Sequence, residues 1–243
     1  MKKSIVIFTL IFVAISIFYI YGRPIYKPIY QRIMGKETVD SIRKKYKDKV
    51  NENLKNLLSS AGFSEFPNSL LLVAYKNEQE LQVFGNLEGK WKLIKTYEFT
   101  NFSGVLGPKL KEGDRQIPEG IYEIEYLNPN SAYHLSLKIN YPNEFDNKKA
   151  KLESRTDLGS DIFIHGDNVT VGCIPVGDEA IEEIFILSSE AIDSGIEVII
   201  SPYKFNDSDL PEIENKTPWL NELYQNIKLE LESKINIKSV QTL

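Results

Sequence analysis

The first hydrophobic segment of the chain is long and uncharged. Positions 4 to 21 are 18 consecutive residues without a charge, and they directly follow Lys2 and Lys3. At about 1.5 Å per helical residue, this segment spans roughly 27 Å, close to the thickness of a bilayer core. Two lysines before such a segment favour the orientation that keeps them in the cytoplasm. Residues 1–22 are therefore predicted to be a membrane anchor or signal segment, with the rest of the chain outside the cytoplasm.

A cleaved signal peptide is the alternative to an uncleaved anchor. The apolar region of a signal peptide is usually shorter and ends in a small-x-small cleavage site. Here the segment ends in the bulky run Phe18-Tyr19-Ile20-Tyr21. This ending favours an uncleaved N-terminal transmembrane helix in the cytoplasmic membrane.

A helical pattern of apolar residues follows a short spacer. Pro24 and Pro28 favour extended backbone in the spacer. The apolar stripe, with steps of three and four, consists of Val39, Ile42, Tyr46, Val50, Leu54, Leu57 and Leu58. Gly62 is suited to end the helix. Residues 23–66 are thus predicted to be a juxtamembrane spacer and an amphipathic helix, whose lysine-rich first half either faces solvent or contacts anionic headgroups.

From Leu70 onward the pattern changes to short apolar segments separated by turn residues. These segments predict strands at 70–75, 80–84, 91–99, 121–126, 134–139, 161–165 and 196–201. One helix is predicted from Asp178, as its N-cap, to about Gly195, and a last helix from about Pro218. The predicted fold class is mostly β with helices (α+β). The core domain covers residues 67–205, and a linker and helix cover residues 206–243.

Composition and motifs exclude several classes of protein. Hydrophobic residues make up 42% and charged residues 26% of the chain, as in globular proteins. The formal net charge of -5 argues against a general nucleic-acid-binding protein. Neither a Gly-Lys-Ser/Thr phosphate loop nor a Gly-x-Ser-x-Gly elbow occurs. Two histidines and one cysteine do not form a recognisable zinc motif, so no metal is expected.

The candidate chemistry centres on the single cysteine, Cys173. In an exported protein, a lone cysteine has no disulfide partner and calls for another explanation. His165 lies eight residues earlier, and a histidine near a cysteine supplies the base that activates a nucleophile. Gly172 allows close approach of the backbone and suggests free N–H groups for an oxyanion. The structural alternatives are a small buried cysteine and a core histidine.

The two residues lie in a recognisable signature, His165-Gly166 followed by Thr170-Val171-Gly172-Cys173. This sequence resembles the L,D-transpeptidase catalytic domain, or YkuD family, whose signature joins His-Gly to Ser/Thr-x-Gly-Cys. The short spacing resembles the YafK-type branch of that family. Other segments resemble the same branch in the same order: Gly107 to Lys109, Gly113 to Tyr122, Asn128 to Ser131 with His134, Asn140 to Asn143, and Ala180 to Phe185. The resemblance covers about residues 40–205.

This resemblance implies a β-rich fold with Cys173 as the nucleophile and His165 as the base. The implied substrate is the stem peptide of peptidoglycan, in which the thiolate attacks the carbonyl of the L-centre of an L,D bond and forms a thioester. An amine then takes the acyl group in a transpeptidase, and water takes it in a hydrolase. The YafK-type branch implies the hydrolytic direction, which releases a lipoprotein attached to the wall. Neither a metal nor an organic cofactor is implied.

Supporting roles are implied for residues around the signature. Gly166 and Gly172 belong to the signature itself. Thr170 either caps the loop or donates a hydrogen bond near the thiolate. His134 is expected either to hydrogen-bond His165 or a substrate carboxylate, or to be a surface histidine.

One position departs from the family pattern. Many members carry an arginine two positions after the cysteine, where this chain has Pro175. Arg115 and Arg155 are the candidates to replace it in binding a substrate carboxylate. Tyr141 is a further candidate to line the cleft.

The leading hypothesis is a membrane-anchored cysteine enzyme of the cell envelope, with its catalytic domain in the periplasm. Its expected partners are peptidoglycan stem peptides, a wall-attached lipoprotein and the membrane, and no nucleic acid. A catalytically weak peptidoglycan-binding module is one alternative, because the arginine after the cysteine is missing. An exported thiol amidase with another substrate is the second.

Overall fold

Within residues 35–205 and 211–235, the computed structural model contains eight β-strands and four α-helices. Outside these ranges, the structure describes scattered positions between 7 and 32. The helices are α1 (Val39–Ser60), α2 (Glu144–Leu152), α3 (Asp178–Ala191) and α4 (Leu220–Lys234). The strands are β1 (Leu70–Tyr75), β2 (Glu80–Leu87), β3 (Lys90–Glu98), β4 (Gly120–Asn128), β5 (Ser136–Ile139), β6 (Phe163–His165), β7 (Ile174–Pro175) and β8 (Ile196–Ser201).

The strands form one curled sheet in the order β3-β2-β1-β8-β4-β5-β6-β7. The β1–β8 and β6–β7 pairs are parallel, and the other neighbours are antiparallel. The register shifts between Val83 and Phe84 and between Ile124 and Tyr126. Such irregularities increase the twist of a strand and bend it. The mostly β fold with helices is confirmed, and its shortest strands, β5 to β7, lie together at one edge.

Helices α1 and α3 cover one face of the sheet. Val50 and Leu54 of α1 are fully buried, as is Phe185 of α3. Lys47 of α1 pairs with Glu190 of α3 at 2.7 Å, and Lys49 pairs with Glu182 at 2.8 Å. Two of the lysines in the first half of α1 therefore bind the neighbouring helix, while about half of each side chain stays exposed.

Helix α4 covers the opposite face. Leu223, Ile227 and Leu231 are buried against Leu71 and Val73 of β1. The predicted last helix is confirmed, and these three residues form its buried face. Its role in the described structure is packing against the sheet.

Two local predictions from the sequence are corrected, and one helix is added. The strand predicted from His134 begins at Ser136, because His134 has a φ of +72°, which is incompatible with extended backbone. The N-cap of α3 is Gly177, whereas the carboxylate of Asp178 accepts a hydrogen bond from the Asp167 N–H. Helix α2 was not predicted, although Asn143 caps it through a capping box with Asp146.

The predicted membrane segment falls mainly outside the described residues. Among the positions that the structure does describe, no helix combines the length and hydropathy needed to cross a bilayer. Residues 206–210 and 236–243, which belong to the predicted C-terminal linker and helix, also lie outside the described ranges.

Candidate active site

Strands β5, β6 and β7 position the cysteine and the histidine. Ile164 of β6 pairs with Ile174 of β7, the residue directly after Cys173. Side chains alternate between the two faces of a strand, and both isoleucines are fully buried in the core. His165 and Cys173 therefore point to the opposite face. The register of two adjacent strands brings both side chains to one side of the sheet.

A cleft of about 370 Å³ opens on this side, and both Cys173 and His165 line it. Ser136, Asp161 and Thr170 also contribute to its wall. Cavities of about 680 Å³ and about 500 Å³ lie elsewhere, but neither is lined by a cysteine or a histidine. We therefore place the candidate active site in the smaller cleft, because its wall contains both the predicted nucleophile and the predicted base.

His165 is a neutral imidazole in this structure. Its Nδ1 lies 2.5 Å from the carbonyl oxygen of Gly166, and a carbonyl only accepts, so Nδ1 donates and Nε2 is the acceptor. The Tyr133 ring packs against the imidazole with 4.9 Å between ring centroids. Burial lowers the pKa of His165 below its usual 6.5, opposed by the Gly166 carbonyl and by Asp167. At pH 7 the imidazole is therefore uncharged and able to accept a proton.

Cys173 is held as a neutral thiol. Its Sγ lies 3.6 Å from the carbonyl oxygen of Asp161, to which the thiol donates. Burial raises the pKa of Cys173 above its usual 9.0, while the backbone N–H of Phe163 and the charge of Lys138 act in the opposite direction. The resting pair is thus thiol and imidazole, not thiolate and imidazolium. A nucleophilic role for this thiol would therefore require its proton to move to a base.

The two glycines of the signature stand where a side chain would collide. A Cβ on Gly172, whose φ is +107°, would lie 2.9 Å from the backbone oxygen of Gln116. A Cβ on Gly166 would lie 2.7 Å from Oδ1 of Asp178 and 2.9 Å from the Tyr133 carbonyl oxygen. Both glycines therefore allow the loop from His165 to Cys173 to pack closely against neighbouring segments.

Two hydroxyl groups cap the backbone next to the thiol. The Thr170 hydroxyl accepts from the Cys173 N–H at 3.0 Å and donates to the Cys173 carbonyl at 2.7 Å. The Ser103 hydroxyl accepts from the Gly172 N–H at 2.8 Å. The capping role predicted for Thr170 is thus present in the structure. The free N–H groups expected at Gly172 are absent from this loop, because the amides of Gly172 and Cys173 both already donate to a hydroxyl group.

A segment that the sequence did not single out holds this loop from outside. The Thr100 hydroxyl donates to the Asp167 carbonyl at 2.8 Å, and the Asn101 amide donates to the Asn168 carbonyl at 2.9 Å. With Ser103, this makes three side chains that bind the backbone of residues 167–172. We call residues 100–103 the loop clamp. The only sequence signal for it is a cluster of Thr, Asn and Ser after β3, which indicates a loop but not its partner.

We expect Ser103→Ala to disturb the site through the loop backbone. The Gly172 N–H loses its acceptor, which lowers the free energy of unfolding by about 1 kcal/mol and lowers turnover about tenfold through a displaced thiol. Urea denaturation and steady-state kinetics measure the two effects. Ser189→Ala is the matched control, because it also removes one hydroxyl-to-backbone bond, to Ile186, away from the cleft. Unchanged turnover in Ser103→Ala would contradict a role for the loop clamp.

His134 lies outside the lining of the cleft. Its Nε2 lies 2.8 Å from Oε1 of Glu182, and its ring meets Tyr46 edge-on at 6.0 Å. The structure therefore places this histidine between α1 and α3, and its hydrogen bond to a described residue goes to Glu182 and not to His165 as predicted. Its neighbour Tyr133, which no sequence pattern singled out, is the residue that packs on His165.

The other three candidates also lie outside the lining of the cleft. Arg155 donates to the Leu110 carbonyl at 2.8 Å and pairs with Glu153 at 2.8 Å, in the wall of the 680 Å³ cavity. Tyr141 is buried, with its hydroxyl donating to the Leu158 carbonyl at 3.1 Å. Arg115 is exposed, with a φ of +59°. Among the described residues, no three His, Cys, Asp or Glu side chains converge as a metal site.

Known proteins share sequence with this chain. The family model for the L,D-transpeptidase catalytic domain, YkuD, matches residues 69–200. The Escherichia coli K12 protein named "Putative L,D-transpeptidase YafK" is 30% identical over 141 residues, which cover 56% of this chain and 55% of that protein. The chain thus spans about half the length of the curated relatives that it matches.

Two solved structures are also similar. The helical cell shape determining protein Pgp2 from Campylobacter jejuni has 23% sequence identity and a TM-score of 0.46, with coverage of 67% of this chain and 57% of that chain. Mycobacterium tuberculosis L,D-transpeptidase 1 has 12% identity and a TM-score of 0.31, with coverage of 55% and 62%. Because the family model matches more than half of the chain, this protein belongs to the YkuD family of L,D-transpeptidase catalytic domains.

Proposed function

We propose that this protein is a cysteine enzyme that acts on the L,D bonds of peptidoglycan stem peptides. The observation that carries the proposal is the shared cleft of Cys173 and His165, with Nε2 of the histidine as the acceptor. Membership of the L,D-transpeptidase family supports the choice of bond. The name of the Escherichia coli relative supports it as well.

In the proposed reaction, His165 accepts the proton of the Cys173 thiol as sulfur attacks the carbonyl carbon of the L-centre. The tetrahedral intermediate collapses when the C–N bond breaks, and the imidazolium returns the proton to the leaving amine. A thioester remains on Cys173. An incoming amine or water then loses a proton to His165 as it attacks, and the thiolate leaves and is protonated again. Each step moves one proton and one acyl group, so the enzyme ends in its starting state.

The neutral resting pair fits a nucleophile that is activated by substrate. With the thiol pKa raised and the imidazole pKa lowered by burial, little thiolate exists before a peptide enters the cleft. The amides of Gly172 and Cys173 already donate to Ser103 and Thr170. Stabilisation of the oxyanion by these amides therefore requires the substrate to displace one of the hydroxyl groups.

The acceptor distinguishes two versions of the proposed function. With an amine acceptor, the enzyme is a transpeptidase that forms a new cross-link. With water, it is a hydrolase or amidase that releases a lipoprotein attached to the wall. Both versions use the same thioester, so a product analysis has to separate them.

We further propose that residues 1–22 anchor the enzyme in the cytoplasmic membrane, with the catalytic domain in the periplasm. The supporting sequence feature is the run of 18 uncharged residues after Lys2 and Lys3. Among the described positions of this run, Ile7, Leu10, Phe12 and Ile15 have 56% to 72% of their surface exposed. Apolar side chains exposed together favour burial in a lipid or protein surface.

Product analysis tests the proposed function. The full chain in detergent micelles is incubated with purified peptidoglycan, either with or without a covalently attached lipoprotein. The masses of the products and of the intact enzyme are then measured by mass spectrometry. We expect a thioester adduct on the enzyme and either a free carboxylate or a new cross-link in the product. The control is the same protein alkylated at Cys173, which is the only thiol of the chain. If the folded protein with a free Cys173 thiol binds the wall but gives neither adduct nor product, it is a binding module. If it cleaves only a different amide, it is a thiol amidase with another substrate.

A further inference from the structure

A buried cation, Lys138, lies near the thiol in a position that the mechanism above does not use. Lys138 of β5 pairs with Phe163 of β6. The β6–β7 register, continued by one residue, places Phe163 opposite Cys173. Cross-strand partners share one face of a sheet, so Lys138 and Cys173 lie in one row on the cleft side. Their backbones are two strand spacings apart, which is about 10 Å. The long lysine side chain can bring its ammonium group closer to the thiol than this backbone separation.

The surroundings hold the ammonium group of Lys138 in this row. Its side chain is 9% exposed, and Nζ lies 5.2 Å from the centroid of the Phe163 ring. Nζ also lies 3.6 Å from Oδ1 of Asp161, whose side chain is 80% exposed. Solvent screens an exposed carboxylate more strongly than a buried ammonium group. The ion pair therefore leaves a net positive potential on the cleft side of β6.

Several ionisable groups act on the thiol from the segments around it. They are Lys138 on β5, Asp161 before β6 and, with the weakest influence, Lys109, while His165 on β6 lines the same cleft. His165 is neutral at rest, and Lys109 is engaged with Asp114 at 2.6 Å. Asp161 opposes a negative charge on sulfur, both through its carboxylate and because its carbonyl accepts from the neutral thiol. Lys138 is thus the described cation best placed to favour the thiolate.

We propose that Lys138 is a positioning residue that stabilises the Cys173 thiolate by its charge, and that Asp161 limits this effect. The proposal deepens the function proposed above, on which it rests for its role in turnover. The chemistry involves one proton, which passes from Sγ to Nε2 of His165, and Lys138 takes no part in this transfer. At an effective dielectric of about 20, a cation about 10 Å from a thiolate changes the midpoint of thiol ionisation by about one pH unit.

The single cysteine makes this proposal testable without a substrate. The rate of alkylation by iodoacetamide is measured from pH 6 to pH 10.5 in the full chain, for the wild type, Lys138→Met, Lys138→Arg and Asp161→Asn. We expect Lys138→Met to raise the midpoint by about one pH unit, so that the rate at pH 8 falls about tenfold. Lys138→Arg keeps the charge and the wild-type midpoint. Asp161→Asn, at an exposed side chain, lowers the midpoint.

Lys149→Met is the matched control for loss of a buried lysine. The Lys149 side chain is 6% exposed and has one carboxylate partner, Glu222, at 2.5 Å, but it lies on α2 and is not among the charged groups that act on the thiol. A midpoint shift in Lys138→Met no larger than in Lys149→Met would overturn the proposal, as would an unchanged midpoint in Asp161→Asn. If Lys138→Met fails to fold, the Arg and Asn variants still decide the question. A shifted midpoint in a protein that leaves peptidoglycan unchanged would support the charge effect and contradict only the proposed function.

Discussion

Replacing Cys173 with alanine is expected to abolish turnover of peptidoglycan stem peptides, with a fall in kcat/KM of about 10⁴-fold or more. The thiol is the proposed site of the thioester, and the described structure offers no second cysteine to replace it. The fold should survive, because the side chain is partly exposed and its thiol donates only through a long contact of 3.6 Å to the Asp161 carbonyl. We expect the free energy of unfolding to change by about 1 kcal/mol or less.

Binding measurements give this substitution its second readout. The Cys173→Ala variant should still bind purified peptidoglycan, because only the sulfur is removed from the cleft. Val171→Ala is the matched control, since Val171 lines the same cleft, is 62% exposed and has no reacting group. Turnover at the wild-type rate in Cys173→Ala would contradict a thioester mechanism. Equal turnover loss in Val171→Ala would point instead to damage of the loop.

The strands that the sequence predicted best are those buried on both faces. Leu70 and Leu72 of β1 lie in the core beneath α1 and α3, while Leu71 and Val73 lie in the core beneath α4. A strand covered on both sides reads as a continuous apolar run with polar ends. The predicted and observed limits of β1 and β8 therefore coincide. Strands β6 and β7 are only three and two residues long, which is too short for a periodic signal.

The site was predictable where its chemistry is local in sequence. His165 and Cys173 stand eight positions apart, on neighbouring strands, and one motif contains both. Ser103 comes from about 70 residues upstream, and its hydroxyl reaches the Gly172 amide only through the tertiary fold. The sequence gives no information about such a contact. The same holds for the burial of Lys138, which an alternating strand pattern predicts to be a solvated residue.

For the arginine and tyrosine candidates, the residue type did not predict what the side chain contacts. Arg155 is a candidate because a substrate carboxylate needs a partner, and Tyr141 is a candidate to line the cleft. The structure instead uses the Arg155 side chain to hold the Leu110 carbonyl and the Tyr141 hydroxyl to hold the Leu158 carbonyl. Buried backbone carbonyls require donors as strongly as substrates do. Residue type alone therefore did not separate structural donors from binding residues.

The second large effect is expected from Lys76→Met, at a buried ion pair outside the cleft. Lys76 and Glu119 are almost fully buried, with Nζ 2.8 Å from Oε1. Nζ also donates to the carbonyls of Gly107 and Ile117, both at 2.9 Å. Removal of the ammonium group leaves a buried carboxylate without its cation and two carbonyls without a donor. We expect the free energy of unfolding to fall by about 3–5 kcal/mol, measured by urea denaturation with tryptophan fluorescence.

Two further variants separate the loss of the pair from the loss of a lysine. The double variant Lys76→Met/Glu119→Gln should be less destabilised than Lys76→Met alone, because no unpaired charge is then buried. Lys47→Met is the surface control, since the Lys47 side chain is 47% exposed and its pair with Glu190 should contribute less than about 1 kcal/mol. A loss in Lys76→Met as small as in Lys47→Met would contradict the role of the pair.

The pair also connects the C-terminal helix with the candidate active site. Glu119 accepts from the Gly107 amide at 2.7 Å and from the Tyr224 hydroxyl of α4 at 2.8 Å. The chain from 107 to 119 contains Gln116, whose backbone oxygen packs against Gly172, 2.9 Å from the position that a Cβ on this glycine would take. Alkylation of Cys173 in Lys76→Met at low urea should therefore become faster, because the support beneath the loop loosens before the sheet unfolds. Wild-type alkylation rates up to the global unfolding transition would show that the ion pair stabilises the fold without supporting the site.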